Sequence, residues 1–155
     1  MTKEYYIDLL KNDNVRAALD TIARAEGVKF GYSTLYGNTK ILSLDKHPNT
    51  RITKWGITST AAGRYQFLFS TWSRLEKLLK LDDFGPLSQD IAAIRLIDEK
   101  GAIPNLLTGD ILTAVFKIRK VWASLPEAGY GQGERTKEEI LKYFTSALEN
   151  LKKKK

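Results

Sequence analysis

The 155-residue chain has no cysteine, so it has no disulfides and no thiolate metal ligands. Histidine occurs once, as His47 beside Pro48. One histidine cannot supply both a nucleophilic triad and a metal cluster, and His47 is expected to lie in a loop and make a local hydrogen bond. Long apolar runs are also missing. Lys3, Glu4, Asp8, Lys11, Asp13, Arg16 and Asp20 punctuate the start of the chain. Neither a secretory signal nor a membrane span is therefore expected. No glycine spacing matches a phosphate-binding loop or a dinucleotide fingerprint. There is no internal repeat, long linker or heptad seam.

A single domain is expected over residues 1–155, since a chain of this size buries roughly 70% of its unfolded surface. The net charge is +7, and four of the excess positive charges are the terminal Lys152 to Lys155. That basic tail (152–155) has two readings. It is either a solvated helix end or a cationic end that binds an anionic envelope surface. No other segment clusters basic residues on one helix face, so no specific nucleic-acid partner is expected. Nothing in the pattern suggests more than a monomer.

The informative stretch runs from Asn14 to Gly27. Val15, Leu19 and Ile22 fall at i, i+4 and i+7, the spacing of one helix face, and Glu26 is the next step on that face. Gly27 is placed as a C-cap. A carboxylate thus stands where the pattern expects a core residue, in a helix's last turn. Partial burial there disfavours its charged form, and so does the negative carbonyl end of the helix. A glutamic acid kept protonated near neutral pH is suited to general acid chemistry. The alternative is a helix-end glutamate whose head reaches water or an arginine.

The other elements follow from similar cues. Residues 3–11 read as a short amphipathic helix, and Asn12, Asp13 and Asn14 offer caps for the next one. Between Val28 and Thr58 the helical period is lost. Residues 33–36, 40–43 and 51–54 are strand candidates, with a turn at 37–39. Tyr32, Tyr36 and Trp55 lie in this region, either as core or as ligand-stacking aromatics. Helical turns are expected over 61–68, 71–80 (capped by Ser70), 89–100 (capped by Ser88) and 104–107. Asp110 caps a helix with Ile111, Val115, Ile118 and Trp122 on one face. Thr136 and Glu139 form a capping box for a last helix with Leu141, Phe144, Leu148 and Leu151 inward.

Three polar stretches sit at helix–loop boundaries: Ala25-Glu26-Gly27, Gly63-Arg64-Tyr65-Gln66 and Ala128 to Gln132. Glycine lets a polymer approach the backbone closely. Tyrosine and glutamine offer stacking and hydrogen bonds to neutral polar groups, as sugar recognition requires.

At these residues the chain resembles the phage lambda lysozyme family, the lambda-type endolysins that act as lytic transglycosylases. The matching segments are Ile22 to Gly27, Gly31 to Gly37, His47-Pro48, Ser59 to Leu68, Ser88 to Asp90, Gly101 to Pro104 and Val121 to Gln132, in family order. The Gly-Arg-Tyr-Gln and Trp-Ala-Ser-Leu-Pro runs are the specific part. The resemblance implies a lysozyme-like α+β fold, mainly helical, with a small irregular antiparallel sheet flanking a substrate cleft. It implies that Glu26 is the catalytic glutamate and that Tyr32, Arg64, Tyr65, Gln66, Tyr130 and Gln132 bind substrate. It implies peptidoglycan glycan strands as partner and no metal or cofactor. The family cleaves the β-1,4 bond between N-acetylmuramic acid and N-acetylglucosamine by attack of the muramyl C6 hydroxyl on C1, leaving a 1,6-anhydro end. The related but different reading is a muramidase that uses water; a third is an inactive glycan-binding module. The resemblance also implies a protein held in the host cytoplasm until a pore-forming partner releases it. The chain departs from the family at Val28, where threonine is common, and at Lys46, where an aspartate is usual, so no role is carried over to Asp45.

Overall fold

The structure, a computed structural model, describes residues 2–155. Seven helices and two short hairpins follow one another along the described chain. Helix α1 (Lys3–Leu9) leads into α2 (Asp13–Glu26). The Asn12 side chain accepts the N–H groups of Asn14 and Val15 at 2.9 and 3.2 Å, satisfying two orphan donors of α2. At the other end Gly27 adopts φ 69, and its N–H returns to the Ala23 and Arg24 carbonyls. That left-handed cap ends the helix one residue after Glu26.

Strands β1 (Thr34–Leu35) and β2 (Thr39–Lys40) form one hairpin; β3 (Ile52–Lys54) and β4 (Ile57–Ser59) form another. The expected single sheet is therefore two separate antiparallel pairs, and the strands are shorter than their sequence candidates. The expected third strand finds its partner in 57–59, across a two-residue turn.

The stretch 61–68 is not a helical turn. Ala62 and Phe67 bridge as an antiparallel pair, with N–H···O distances of 3.0 and 2.8 Å. Gly63 at φ 89 and Gln66 at φ 51 turn the chain between them. A Cβ on Gly63 would lie 2.4 Å from Gln89 Oε1, so glycine is required there for both conformation and space.

The remaining helices are α3 (Phe69–Leu79), α4 (Pro86–Glu99), α5 (Ile103–Leu107), α6 (Ile111–Ile118) and α7 (Lys137–Lys153). Leu68, not Ser70, is the N-cap of α3. Helix α4 starts at Pro86 after Gly85, as suits proline's fixed φ, and the Ser88 hydroxyl donates to Asp83 instead of capping. Helix α4 is the centre of the body. Gln89 through Ile94, Leu96 and Ile97 are all buried, so it lacks the one-sided pattern of a surface helix. Helix α2 packs most extensively against α7. The predicted capping box of α7 is present, but Ile140 takes the inward place and Leu141 is exposed. Trp122 lies beyond the end of α6 yet is buried, its indole N–H donating to the Tyr65 carbonyl at 2.8 Å.

Trp72, Phe84, Phe67 and His47 form an aromatic cluster beneath the hairpins, with Trp72 and Phe84 edge-to-face at 4.6 Å. His47 Nδ1 accepts from the Asn49 N–H, so Nε2 carries the proton and donates to the Phe67 carbonyl at 2.8 Å. Burial lowers its pKa and keeps the ring neutral. It is a structural histidine, buried and not merely looped. The lysine tail is partly folded: Lys152 and Lys153 belong to α7, and Lys155 pairs with Asp13 at 2.7 Å.

Candidate active site

Glu26 is the last residue of α2, placed there by the helix period and released into a cleft by the turn at Gly27. The cleft has a volume of about 850 Å³. One wall is built by the two hairpins, through Tyr36, Trp55, Ile57 and Ser59; the other by the loop 130–133 with Lys120 and Arg135. Glu26 is the only carboxylate among the described residues that line it.

The Ser124 hydroxyl donates to Glu26 Oε2. Ser124 is itself held from three directions. The next residue, Leu125, donates its N–H to Trp122; the Trp122 indole is tied to Tyr65; and the Arg135 N–H donates to the Ser124 carbonyl at 2.7 Å. Arg135 Nε also donates to the Ala25 carbonyl at 3.1 Å, satisfying a carbonyl at the end of α2. Arg135 thus ties the helix end to the strand of chain that carries Ser124.

Glu26 is partly accessible, from the cleft side, while its carboxyl is closely surrounded by protein. Burial raises its pKa above the ordinary value. The Ser124 hydroxyl, the Ser124 backbone and the charge of Arg135 pull it back, but burial prevails. The carboxyl is held toward its protonated form, with one oxygen committed to Ser124.

Gln66, Tyr130 and Gln132 line the same cleft as Glu26. Gln66 donates through Nε2 to the Thr34 and Gly63 carbonyls at 3.1 and 2.8 Å. These bonds fix its side chain, and among the described residues its amide oxygen has no donor. Tyr130 is half exposed; its hydroxyl donates to the Lys120 carbonyl at 2.7 Å, so it presents its ring to the cleft.

Tyr32, Arg64 and Tyr65, expected to bind substrate, do not line this cleft as Gln66, Tyr130 and Gln132 do. They belong to a network around the buried Asp90 of α4. Asp90 accepts from Tyr65 at 2.6 Å, Tyr32 at 2.9 Å and Arg16 at 2.9 Å. Arg64 donates to the Tyr65 hydroxyl and pairs with Asp20 at 2.6 Å. Tyr65 is fully buried, and burial together with the Asp90 charge pushes its hydroxyl well above the ordinary pKa. A neutral tyrosine donating to a paired carboxylate satisfies every polar atom present, as burial requires. The network holds the Gly63–Gln66 turn against α4, with the Gln89 side chain accepting the Arg64 N–H at 2.8 Å. Through these bonds the network holds in place the turn that carries Gln66.

Ser124 and Arg135 were not among the residues singled out from sequence. Ser124 lies within a stretch marked as specific, but no periodicity connects it to Glu26. Arg135 precedes the capping box and carries no local sign of its role. Tyr36 and Trp55, undecided from sequence, belong to the cleft.

The family model for endolysins matches residues 16–151. The endolysin of Escherichia phage lambda is 37% identical over 145 residues, covering 88% of this chain and 92% of that protein. The endolysin of Escherichia phage P2 is 37% identical over 154 residues, covering 88% and 93%. Among solved structures, bacteriophage lambda lysozyme complexed with a chitohexasaccharide superposes with a TM-score of 0.85 at 37% identity, over 88% of this chain and 94% of that one. By sequence along most of its length and by the path of its backbone, this chain belongs to the endolysin family.

Proposed function

We propose that this protein degrades bacterial peptidoglycan as a lytic transglycosylase, with Glu26 as its single acid and base. The observation that carries the reading is that, among the described residues, Glu26 is the one carboxylate lining the cleft. Hydrolysis by the usual glycosidase routes employs a second carboxylate, as nucleophile or as base for water. Intramolecular attack needs no such partner. The complex of lambda lysozyme with a chitohexasaccharide supports a β-1,4-linked amino-sugar strand as the occupant of a cleft of this kind.

In the proposed step the protonated Glu26 gives its proton to the glycosidic oxygen as the bond from muramyl C1 breaks. The C6 hydroxyl of the same sugar then bonds to C1, and its proton passes to the Glu26 carboxylate. Glu26 ends protonated as it began, and no water is consumed. Its raised pKa suits the first transfer. The Ser124 hydroxyl, donating to Oε2, stabilises the carboxylate formed between the two transfers. Proton transfer of this kind contributes about 10²–10⁴ in rate, and alignment of the C6 hydroxyl with C1 adds to it.

Mass analysis of the fragments released from purified cell wall tests the reaction type. Fragments ending in 1,6-anhydromuramic acid are expected; ordinary reducing ends alone would assign a hydrolytic muramidase.

A further inference from the structure

Trp55 combines three features that folding does not account for. It occupies the first of the two turn residues between β3 and β4, whose last pair is Lys54 with Ile57. Both turn residues have positive φ, 51 for Trp55 and 74 for Gly56. That geometry favours Asn-Gly, and a bulky aromatic at the first position is strained. The indole is also 79% exposed, so it contributes little to the core. Among the described residues its N–H has no hydrogen-bond acceptor.

Strain and an exposed apolar surface are both explained if the ring serves a ligand. Trp55 lines the cleft that contains Glu26. Tyr36 braces it edge-on at 6.1 Å and 85°, and the Tyr36 hydroxyl donates to the Lys54 carbonyl at the base of the turn. The ring is therefore held up as a plate, not left as a loose side chain. We infer that Trp55 is a sugar-stacking platform that holds one pyranose ring of the glycan strand at the hairpin lip of the cleft. A pyranose offers a face of C–H groups to the ring and equatorial polar groups at its edge, where the indole N–H can donate. The inference rests on the reading that the cleft takes a glycan strand. It concerns binding alone: Trp55 has no part in proton transfer.

The test uses the three tryptophans as they stand. Trp72 and Trp122 are buried at 1% and 3% exposure, but Trp122 also lines the cleft, so the part of the emission change that Trp55→Asn abolishes is what reports Trp55. The full-length Glu26→Gln protein is titrated with a β-1,4-linked N-acetylglucosamine hexamer, with and without Trp55→Asn. Asparagine tolerates the left-handed turn, so the fold is kept and the melting temperature is expected to hold or rise. The platform predicts a saturable blue shift in the parent. It predicts about tenfold weaker hexamer binding for Trp55→Asn by calorimetry, and substantial recovery with Trp55→Phe. On cell wall, Trp55→Asn in the otherwise wild-type chain should raise KM with kcat nearly unchanged. Hexamer affinity within twofold of the parent for Trp55→Asn, or a blue shift with anionic lipid vesicles and none with the hexamer, would overturn the platform. Loss of anhydro products from the wild-type enzyme would instead overturn the reaction type and leave the platform standing.

Discussion

Ser124 and Glu26, 98 residues apart in sequence, share a hydrogen bond in the cleft, with the serine as donor. The bond favours the ionised carboxylate, against the burial that raises the Glu26 pKa. Ser124→Ala removes that opposing contribution and moves the Glu26 pKa further up. The alkaline limb of the kcat/KM profile should therefore shift to higher pH. Activity at the optimum should fall about tenfold, because the carboxylate formed during the reaction loses a charge-assisted hydrogen bond. A pH titration of initial lysis rates on purified cell wall checks both.

The raised pKa of Glu26 also has a signature in stability. A carboxyl whose folded pKa lies above its unfolded value binds its proton more tightly when folded. Its stabilising contribution is complete below the unfolded pKa and is lost as pH rises through the folded pKa. Glu26→Gln removes this dependence while keeping an acceptor for Ser124. The melting temperature of the variant relative to wild type should therefore increase with pH across that window and level off above it. Thermal melts of the two proteins over a series of buffers provide the comparison.

Tyr65 and Gln66 are neighbours with separable roles. Tyr65→Phe deprives the buried Asp90 of one donor and Arg64 of one acceptor, and should cost about 1–3 kcal/mol of stability. Its KM for cell wall should stay close to wild type below the melting transition. Gln66→Asn keeps a residue tolerant of the left-handed turn but withdraws the amide from the cleft. It should lower kcat/KM about tenfold with little loss of stability. Urea unfolding and steady-state kinetics on the two variants distinguish them.

Features carried by local chemistry were legible in the sequence. The apolar spacing of Val15, Leu19 and Ile22 placed Glu26 inward, and Gly27 marked the helix end; both hold. The Thr136–Glu139 capping box is present as read. What escaped depends on contacts between distant segments. The run 61–68 has helix-compatible residues, yet it turns because Gly63 packs against Gln89 and Phe84 of the α4 region. Arg64 and Tyr65 belong to a motif that marks the site, but the partners of their side chains are Asp20 and Asp90, which local sequence does not announce. A motif identifies the segment near a site without saying which of its side chains face the ligand.

The removal of Lys152 to Lys155 separates the two readings of the tail. The pair between Lys155 and Asp13 is an exposed one and contributes at most about 1 kcal/mol, so the shortened protein should melt close to wild type. Fragments released from purified wall should be unchanged. A loss of sedimentation with anionic vesicles on removal of the tail would mark it as a surface anchor; equal sedimentation would leave it a helix end.

The account turns on Glu26 passing a proton between two oxygens of the substrate with no water entering. Digestion of purified peptidoglycan in oxygen-18 water, followed by mass analysis of the fragments, tests this directly. The wild-type protein should yield anhydro ends free of label, and Glu26→Gln should yield none while still binding the glycan. Labelled reducing ends from the wild type, or full lysis by Glu26→Gln, would contradict it.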